Sequence, residues 1–117
     1  MNVADLFCGA GLFSAGFKDA GFDIVFGIDN NKNACKTFQF NFPEATVINE
    51  DIENFDDFPS VDVIIGSPPC VQFSIGNNDR NFDMALVDRY LEIIDKLKPS
   101  FWVMENVTAM SLSLIHI

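Results

Sequence analysis

The stretch that decides the fold is Asn2-Val3-Ala4-Asp5-Leu6-Phe7, followed by Cys8-Gly9-Ala10-Gly11. Its apolar part predicts a buried strand, its glycines predict a tight turn, and the apolar positions from Leu12 to Ala20 predict a helix. A strand, a glycine turn and a helix in this order let a nucleotide-like ligand approach the backbone. Because Ser14 replaces the third glycine of the dinucleotide-binding pattern, a tight turn without a ligand remains an alternative.

The rest of the chain alternates short apolar runs with helical patterns, which predicts an α/β fold with a parallel sheet. We expect a doubly wound, mostly parallel sheet with the strand order 3-2-1-4-5, whose ligands bind beyond the carboxyl ends of the first and fourth strands. Further strands are predicted at residues 23–28, 45–48, 61–65 and 101–104, and further helices at residues 31–42 and 84–98. Asp83 is the expected cap of the last helix, and residues 67–82 are expected to form a polar loop.

Composition limits the class of protein. The 117 residues are 49% apolar and include 13 Phe, which is enough for one domain with a substantial core. No apolar run approaches the ~20 residues of a membrane span, and the first residues lack the features of a signal peptide. Three cysteines without a CxxC spacing argue against a disulfide framework or a metal site, and a cytoplasmic location is expected. The net charge of −10, taken alone, argues against nucleic-acid binding.

A second stretch, Gly66-Ser67-Pro68-Pro69-Cys70-Val71-Gln72-Phe73-Ser74, follows a predicted strand and carries a candidate nucleophile. The two prolines stiffen the backbone before Cys70 and would hold its thiol in one place. A Pro-Pro turn with a small buried thiol is the alternative. Glu105 ends the fifth strand, so its carboxyl group is expected in the same crevice as Cys70. The single histidine, His116, is far from Cys70 in sequence, which argues against a Cys-His hydrolase.

Two acidic residues follow the second and third strands. Asp29 lies about twenty residues after the glycine turn, where a carboxylate can bind both hydroxyls of a ribose. Its alternative role is a helix cap shared with Asn30 and Asn31. Asp51 is placed to accept a hydrogen bond from an adenine amino group, although for Asp51 taken alone a solvated charge in an acidic loop is the preferred interpretation.

These segments, taken together, resemble the amino-terminal half of a DNA (cytosine-5)-methyltransferase. The resemblance covers residues 3 to about 108, and its motifs are specific in combination. They are Asp5 to Phe13, Ile28-Asp29-Asn30, Glu50-Asp51-Ile52, Gly66 to Cys70 with Phe73-Ser74, and Pro99 with Glu105-Asn106-Val107. The resemblance implies a Rossmann-like methyltransferase fold and S-adenosylmethionine as the cofactor. The residues that it implies for cofactor binding are Phe7, Gly9, Ala10, Gly11, Asp29, Asn30, Asp51, Ile52, Pro69 and Leu86.

The resemblance also implies a covalent mechanism on a cytosine flipped out of DNA. Cys70, as the thiolate, adds to carbon 6 of the ring, and Glu105 protonates the ring nitrogen at position 3. Carbon 5 then takes the methyl group, and loss of its proton releases the enzyme. Asn106 would hold the Cys70 loop. Asn30 stands where many members of the family have a bulky apolar residue against the adenine.

The resemblance extends to the partners and the domain limits. Double-stranded DNA is the expected partner, in a restriction-modification system, with a monomeric parent protein and no metal. A tRNA cytosine-5 methyltransferase of the same fold and an inactive cofactor-binding remnant are the alternatives. Residues 1–110 are expected to be the amino-terminal part of the catalytic domain, and residues 111–117 an anomalous tail of foreign origin. The isolated fragment is expected to be inactive, and the net charge of −10 is attributed to a basic DNA-binding surface in the absent half.

Overall fold

The computed structural model of this protein describes residues 1–69, 71–72 and 82–105. Its strands are β1 (Asn2–Leu6), β2 (Asp23–Asp29), β3 (Thr46–Asn49), β4 (Val63–Gly66), β5 (Val71–Gln72), β6 (Phe82–Asp83) and β7 (Phe101–Met104). Its helices are α1 (Leu12–Asp19), α2 (Lys32–Asn41) and α3 (Ala85–Leu97), and residues Ile52–Asn54 form a single turn of 3-10 helix. Every strand and helix predicted from the sequence is present.

The sheet has the order β3-β2-β1-β4-β7, and each neighbouring pair of strands is parallel. This is the predicted order 3-2-1-4-5, with β7 as the fifth strand of the sheet. The chain moves outward in opposite directions from β1 and from β4. The carboxyl ends of these two strands therefore border the crevice in which open α/β sheets bind ligands.

The core lies on both faces of the sheet because helices cover both. On one face, Val3 of β1 and Val63 of β4 pack with Phe38 and Phe42 of α2. On the other face, the next residue of each strand joins a cluster that contains Tyr90 of α3. Burial on both faces explains why β4 is a continuous apolar run and why β1 is apolar at Val3, Ala4 and Leu6 instead of alternating.

Differences from the prediction are confined to the ends of elements and to the loop after β4. The prediction that Asp83 caps the last helix is wrong. Asp83 belongs to β6, which pairs antiparallel with β5. Met84 is instead the residue that precedes the first turn of α3. The proposed domain limit at residue 110 and the tail at residues 111–117 lie outside the described residues, so both stay predictions.

Gly66, the last residue of β4, fills a space in which no side chain fits. A Cβ atom built on Gly66 would lie 2.5 Å from Cε2 of Tyr90 and 2.6 Å from the carbonyl oxygen of Leu6. Tyr90 is itself fixed, because its hydroxyl donates a hydrogen bond of 2.8 Å to the carbonyl oxygen of Val103. The glycine that begins the Cys70 loop is thus required by the packing of β1, β4 and α3.

We expect Gly66→Ala to lower the free energy of unfolding by about 1–3 kcal/mol, because overpacking forces the neighbouring groups to move. Gly16→Ala is the matched control, since a Cβ atom at Gly16 in α1 would meet nothing within 4 Å. That change should stabilise the protein by about 0.5–1 kcal/mol, because alanine is the better helix former. Urea unfolding of both variants measures the difference, and equal effects of the two changes would contradict this account.

A buried carboxyl group lies in the middle strand of the sheet. Asp5 is 1% exposed and accepts a hydrogen bond of 2.6 Å at Oδ2 from the hydroxyl of Ser14, which is fully buried. Burial raises the pKa of Asp5 to about 7, the hydrogen bond from Ser14 opposes this shift, and the charge of Asp29 adds to it. Ser14, at the place of the missing third glycine, is therefore the hydrogen-bond partner of this acid.

We expect the stability contributed by Asp5 to fall as the pH rises. The unfolded carboxyl ionises near pH 4 and the folded one near pH 7, so ionisation opposes folding progressively between these values and by a constant amount above them. The advantage of Asp5→Asn over the wild type in unfolding free energy should grow by about 1–3 kcal/mol from pH 5 to pH 8.

Thermal or urea unfolding at several pH values measures this advantage. Asp19→Asn, which changes an exposed acid at the end of α1, is the control for the loss of one carboxyl group. An Asp5→Asn difference that does not change with pH would contradict the prediction.

Candidate active site

Two adjoining clefts open at the carboxyl ends of β1 and β4. The larger cleft has a volume of about 500 Å³, and the smaller cleft has a volume of about 460 Å³. Phe7 and Ser67 line both clefts, so the two spaces share a wall. Volumes of this size are typical of sites for small molecules and cofactors.

The structure brings most of the predicted cofactor-binding residues to these clefts. The larger cleft is lined by Phe7, Asp29, Asn30, Asp51, Ile52, Pro69 and Leu86, together with Ile28, Glu50, Glu53, Ser67 and Ala85. The smaller cleft is lined by Gly9 and Ala10, together with Asp5, Phe7, Cys8, Leu12, Phe13, Ser67 and Glu105. Gly11 lines neither cleft: a Cβ atom there would lie 2.6 Å from the ring of Phe42, so packing against α2 accounts for this glycine.

The turn after β1 has an unusual backbone. Gly9 and Gly11 have positive φ angles of 53° and 101°, which glycine adopts without a steric penalty. Phe7 also has a positive φ, 57°, which costs a residue with a side chain about 1–3 kcal/mol. Such conformations persist where the surrounding structure fixes them, and they concentrate at ligand sites. Here the amide of Cys8 donates to the carbonyl oxygen of Ile28 at 3.0 Å, which anchors the turn to β2.

The carboxylate of Asp29 holds two segments of backbone at once. Its Oδ2 accepts a hydrogen bond of 2.9 Å from the amide of Gly9, and its Oδ1 accepts one of 2.8 Å from the amide of Asn31. Asn31 is the actual cap of α2, since its side chain accepts from the amide of Ala34. Each carboxylate oxygen of Asp29 retains a second acceptor site, so the group can still bind two hydroxyls of a ligand.

Asp51 has a structural role in addition to its place in the larger cleft. Its Oδ1 accepts a hydrogen bond of 3.0 Å from the amide of Glu53 and so caps the 3-10 turn. The side chain of Ile52, the next residue, is buried in the core. The turn therefore presents an exposed carboxylate and a fixed backbone segment to the cleft.

Glu105 is connected to the loop that leads to Cys70. Its amide donates to the carbonyl oxygen of Gly66 at 3.0 Å, and its Oε2 accepts a hydrogen bond of 2.8 Å from the hydroxyl of Ser67. Glu105 and the glycine turn consequently line the same smaller cleft. Cys70 and Asn106 lie outside the described residues, so the expected meeting of the thiol with Glu105 stays a prediction.

The two other cysteines in the described part of the chain are packing residues. Cys8 and Cys35 are free thiols, both buried. Burial raises the pKa of both thiols, and the negative charge of Asp29 raises both further. A thiol that resists ionisation is a poor nucleophile, so neither competes with Cys70 for that role.

Sequence reasoning missed two features of the site. Ser67 was not distinguished from its neighbours, although its hydroxyl connects the Cys70 loop to Glu105. The sequence pattern predicts only a strand position for Asp5, yet Asp5 also lines the smaller cleft. A charged residue among fully buried strand positions was the available signal for Asp5.

Two absences apply to the described residues only. In residues 1–69, 71–72 and 82–105, no cluster of three or more His, Cys, Asp or Glu side chains is arranged to hold a metal ion. Across the same ranges, each helix is too short or too polar to cross a lipid bilayer.

Comparison with known proteins shows which family this chain is similar to. The profile of the family described as C-5 cytosine-specific DNA methylase matches residues 1–113. The type II methyltransferase M.DdeI of Desulfomicrobium norvegicum is 41% identical over 115 residues, which cover 92% of this chain and 28% of the relative. The type II methyltransferase M.HgiGI of Herpetosiphon aurantiacus is 38% identical over an alignment of 125 positions, and the alignment covers 99% of this chain and 98% of the relative.

A solved structure agrees with these relatives. The crystal structure of a prophage-encoded DNA modification methyltransferase of E. coli has a TM-score of 0.77 and 33% identity, and the match covers 92% of this chain and 32% of that chain. This chain spans less than a third of the length of M.DdeI and nearly the whole length of M.HgiGI. From the profile, the relatives and the fold together, this chain belongs to the C-5 cytosine-specific DNA methylase family.

Proposed function

We propose that this protein supplies the cofactor site and the catalytic cysteine for transfer of a methyl group from S-adenosylmethionine to carbon 5 of cytosine in DNA. The observation that carries the proposal is the position of Glu105 and the glycine turn in one cleft, directly beside a second cleft that holds the predicted adenosine-binding residues. The chain covers only part of most relatives, so the activity is proposed for the protein that contains this segment together with a region for target recognition.

The residues present fit an adenosyl group. The larger cleft has a volume of about 500 Å³, which can hold a nucleoside, and Asp29 has free acceptor sites for the two ribose hydroxyls. Phe7, Pro69 and Leu86 give this cleft apolar surfaces for an adenine ring, while Asp51 and the Ile52 backbone give it polar ones. The methionine part of the cofactor would then extend over Gly9 and Ala10 into the smaller cleft. When bound, the cofactor supplies an electrophilic methyl group on a sulfonium.

The residues of the smaller cleft supply the remaining chemistry. Carbon 5 of cytosine is a weak nucleophile, so the reaction needs a covalent step that raises its electron density. The Cys70 thiolate forms a bond to carbon 6 while Glu105 delivers a proton to nitrogen 3. Carbon 5 would then form a bond to the methyl group as the bond between that group and the sulfonium sulfur breaks, which leaves S-adenosylhomocysteine. Loss of the carbon 5 proton to a base would break the bond between the Cys70 sulfur and carbon 6, and the proton on nitrogen 3 would return to Glu105. Ser67, through its hydrogen bond, would keep the Glu105 carboxyl at the loop that carries Cys70.

The negative charge of this chain agrees with a parent protein in which another segment binds the DNA. Lys and Arg number 7 against 17 Asp and Glu, so this segment alone has little attraction for phosphates. The surface that binds DNA would therefore lie in the part of the parent protein that corresponds to the relatives' sequence beyond the matched residues. Target recognition would also lie in that part. Methyl-transfer assays of the longer protein on DNA and on tRNA would therefore distinguish the two candidate substrates.

We expect the chain to bind S-adenosylhomocysteine, and the 2′-deoxy and 3′-deoxy analogues to bind at least tenfold more weakly, because each lacks one hydroxyl for Asp29. Asp29→Asn should weaken the binding of S-adenosylhomocysteine and reduce the difference in affinity between this ligand and the deoxy analogues. Isothermal titration calorimetry measures all three ligands. A deoxy penalty that is unchanged in Asp29→Asn would show that another group holds the ribose.

The nucleophile is tested in a fusion of residues 1–105 to the remaining part of M.DdeI. We expect Cys70→Ala to lower methyl transfer at least a thousandfold and to leave S-adenosylhomocysteine binding within twofold. Glu105→Gln should lower transfer while keeping that binding, because the amide cannot deliver the proton. Cys35→Ala, which removes a buried packing thiol, is the control that should retain transfer. Methylation by the Cys70→Ala fusion at the wild-type rate would reject Cys70 as the nucleophile.

A further inference from the structure

Arg89 of α3 makes an unusual set of contacts for a surface helix. Its side chain is only 12% exposed, whereas that of its partner Asp56 is 75% exposed. Nε donates to the carbonyl oxygen of Ile52 at 3.0 Å, and Nη2 donates to the carbonyl oxygen of Phe55 at 2.7 Å. Nη2 also bonds Asp56, and Nη1 bonds Glu92 at 2.7 Å on the same helix. The guanidinium thus ties α3 to a loop more than thirty residues away in sequence.

The tied segment is the acidic loop, residues 50–58. It carries five acidic residues, namely Glu50, Asp51, Glu53, Asp56 and Asp57. Its first four residues line the larger cleft on one side, and Ala85 and Leu86 at the start of α3 also line that cleft. Leu86 stands three positions before Arg89, on the same side of the helix. Arg89 therefore joins two elements that border the proposed adenine site.

The geometry favours backbone fixation over a simple ion pair. The carbonyl oxygens of Ile52 and Phe55 lie within and just after the 3-10 turn, where a helical segment leaves carbonyls without internal partners. A guanidinium presents several donors in a rigid plane and can bond both carbonyls at once, which a lysine ammonium cannot do with the same geometry. Its positive charge also offsets the mutual repulsion of the acidic residues in the loop.

We propose that Arg89 is a positioning residue that sets both the affinity and the base selectivity of the cofactor site. By holding the 3-10 turn at a fixed distance from Leu86, it fixes where the Asp51 carboxylate and the Ile52 backbone meet the adenine ring. The inference rests on the proposed function, and it adds a residue that touches neither the cofactor nor the reacting atoms.

The test uses the whole chain and two ligands. S-adenosylhomocysteine carries the adenine amino group, and S-inosylhomocysteine has a carbonyl in its place. We expect Arg89→Gln to weaken S-adenosylhomocysteine about tenfold or more and to bring the affinity ratio of the two ligands towards one. Arg89→Lys should fall between Arg89→Gln and the wild type, because it restores the charge without the two carbonyl bonds. Asp56→Asn is the matched control: it removes the exposed ion pairs of Asp56 with Arg89 and Lys96, leaves both carbonyl bonds of Arg89 in place, and should change binding less than twofold.

A second readout needs no ligand and detects a variant that is merely unfolded. Amide hydrogen exchange should become faster in Arg89→Gln at Glu53 and Asn54, whose amides bond to the side-chain and backbone oxygens of Asp51, and stay unchanged in β1. Unchanged exchange at these two amides would overturn the inference. So would an Arg89→Gln variant that binds as the wild type does, or one that weakens both ligands by the same factor. A wild-type chain that binds neither ligand would instead overturn the proposed function, and the inference with it.

Discussion

The hydrogen bond from the Gly9 amide to the carboxylate of Asp29 is the contact on which the site depends. It joins the turn after the middle strand to the end of the neighbouring strand, and the other oxygen of the same carboxylate fixes the start of α2. A single acidic side chain thereby aligns two loops that would otherwise be independent. A charged acceptor makes each of these bonds stronger than a bond between neutral groups. Asp29 also lines the larger cleft, so the residue that aligns the two loops belongs to the wall of the site.

The fold was predictable because the residues of each element agree with one another. The mostly apolar residues of β1 and the continuous apolar run of β4 indicated buried strands, and the helix on each side followed from its own periodicity. The strand order 3-2-1-4-5 is that of a doubly wound sheet, and no single segment of the sequence determines it. The predicted cap of α3 was wrong because Asp83 pairs with β5 in a short antiparallel ladder. A pairing across a loop cannot be predicted from the residues next to Asp83 in the sequence.

The site was predictable only in part, for a physical reason. Residues with a recognisable spacing, such as Asp29 and Asp51, could be placed at strand ends. The strained backbone of Phe7 and the contacts of Arg89 with the acidic loop could not, because each depends on partners distant in sequence. Local rules fail most often at functional sites, and here both features border the two clefts or the segments that line them.

Phe7 lines both clefts, so a molecule in either cleft borders the same residue. If a molecule in one cleft changes the position of Phe7, occupancy of the two spaces is energetically coupled. Reciprocity requires that whatever the first guest does to the affinity for the second, the second does equally to the first.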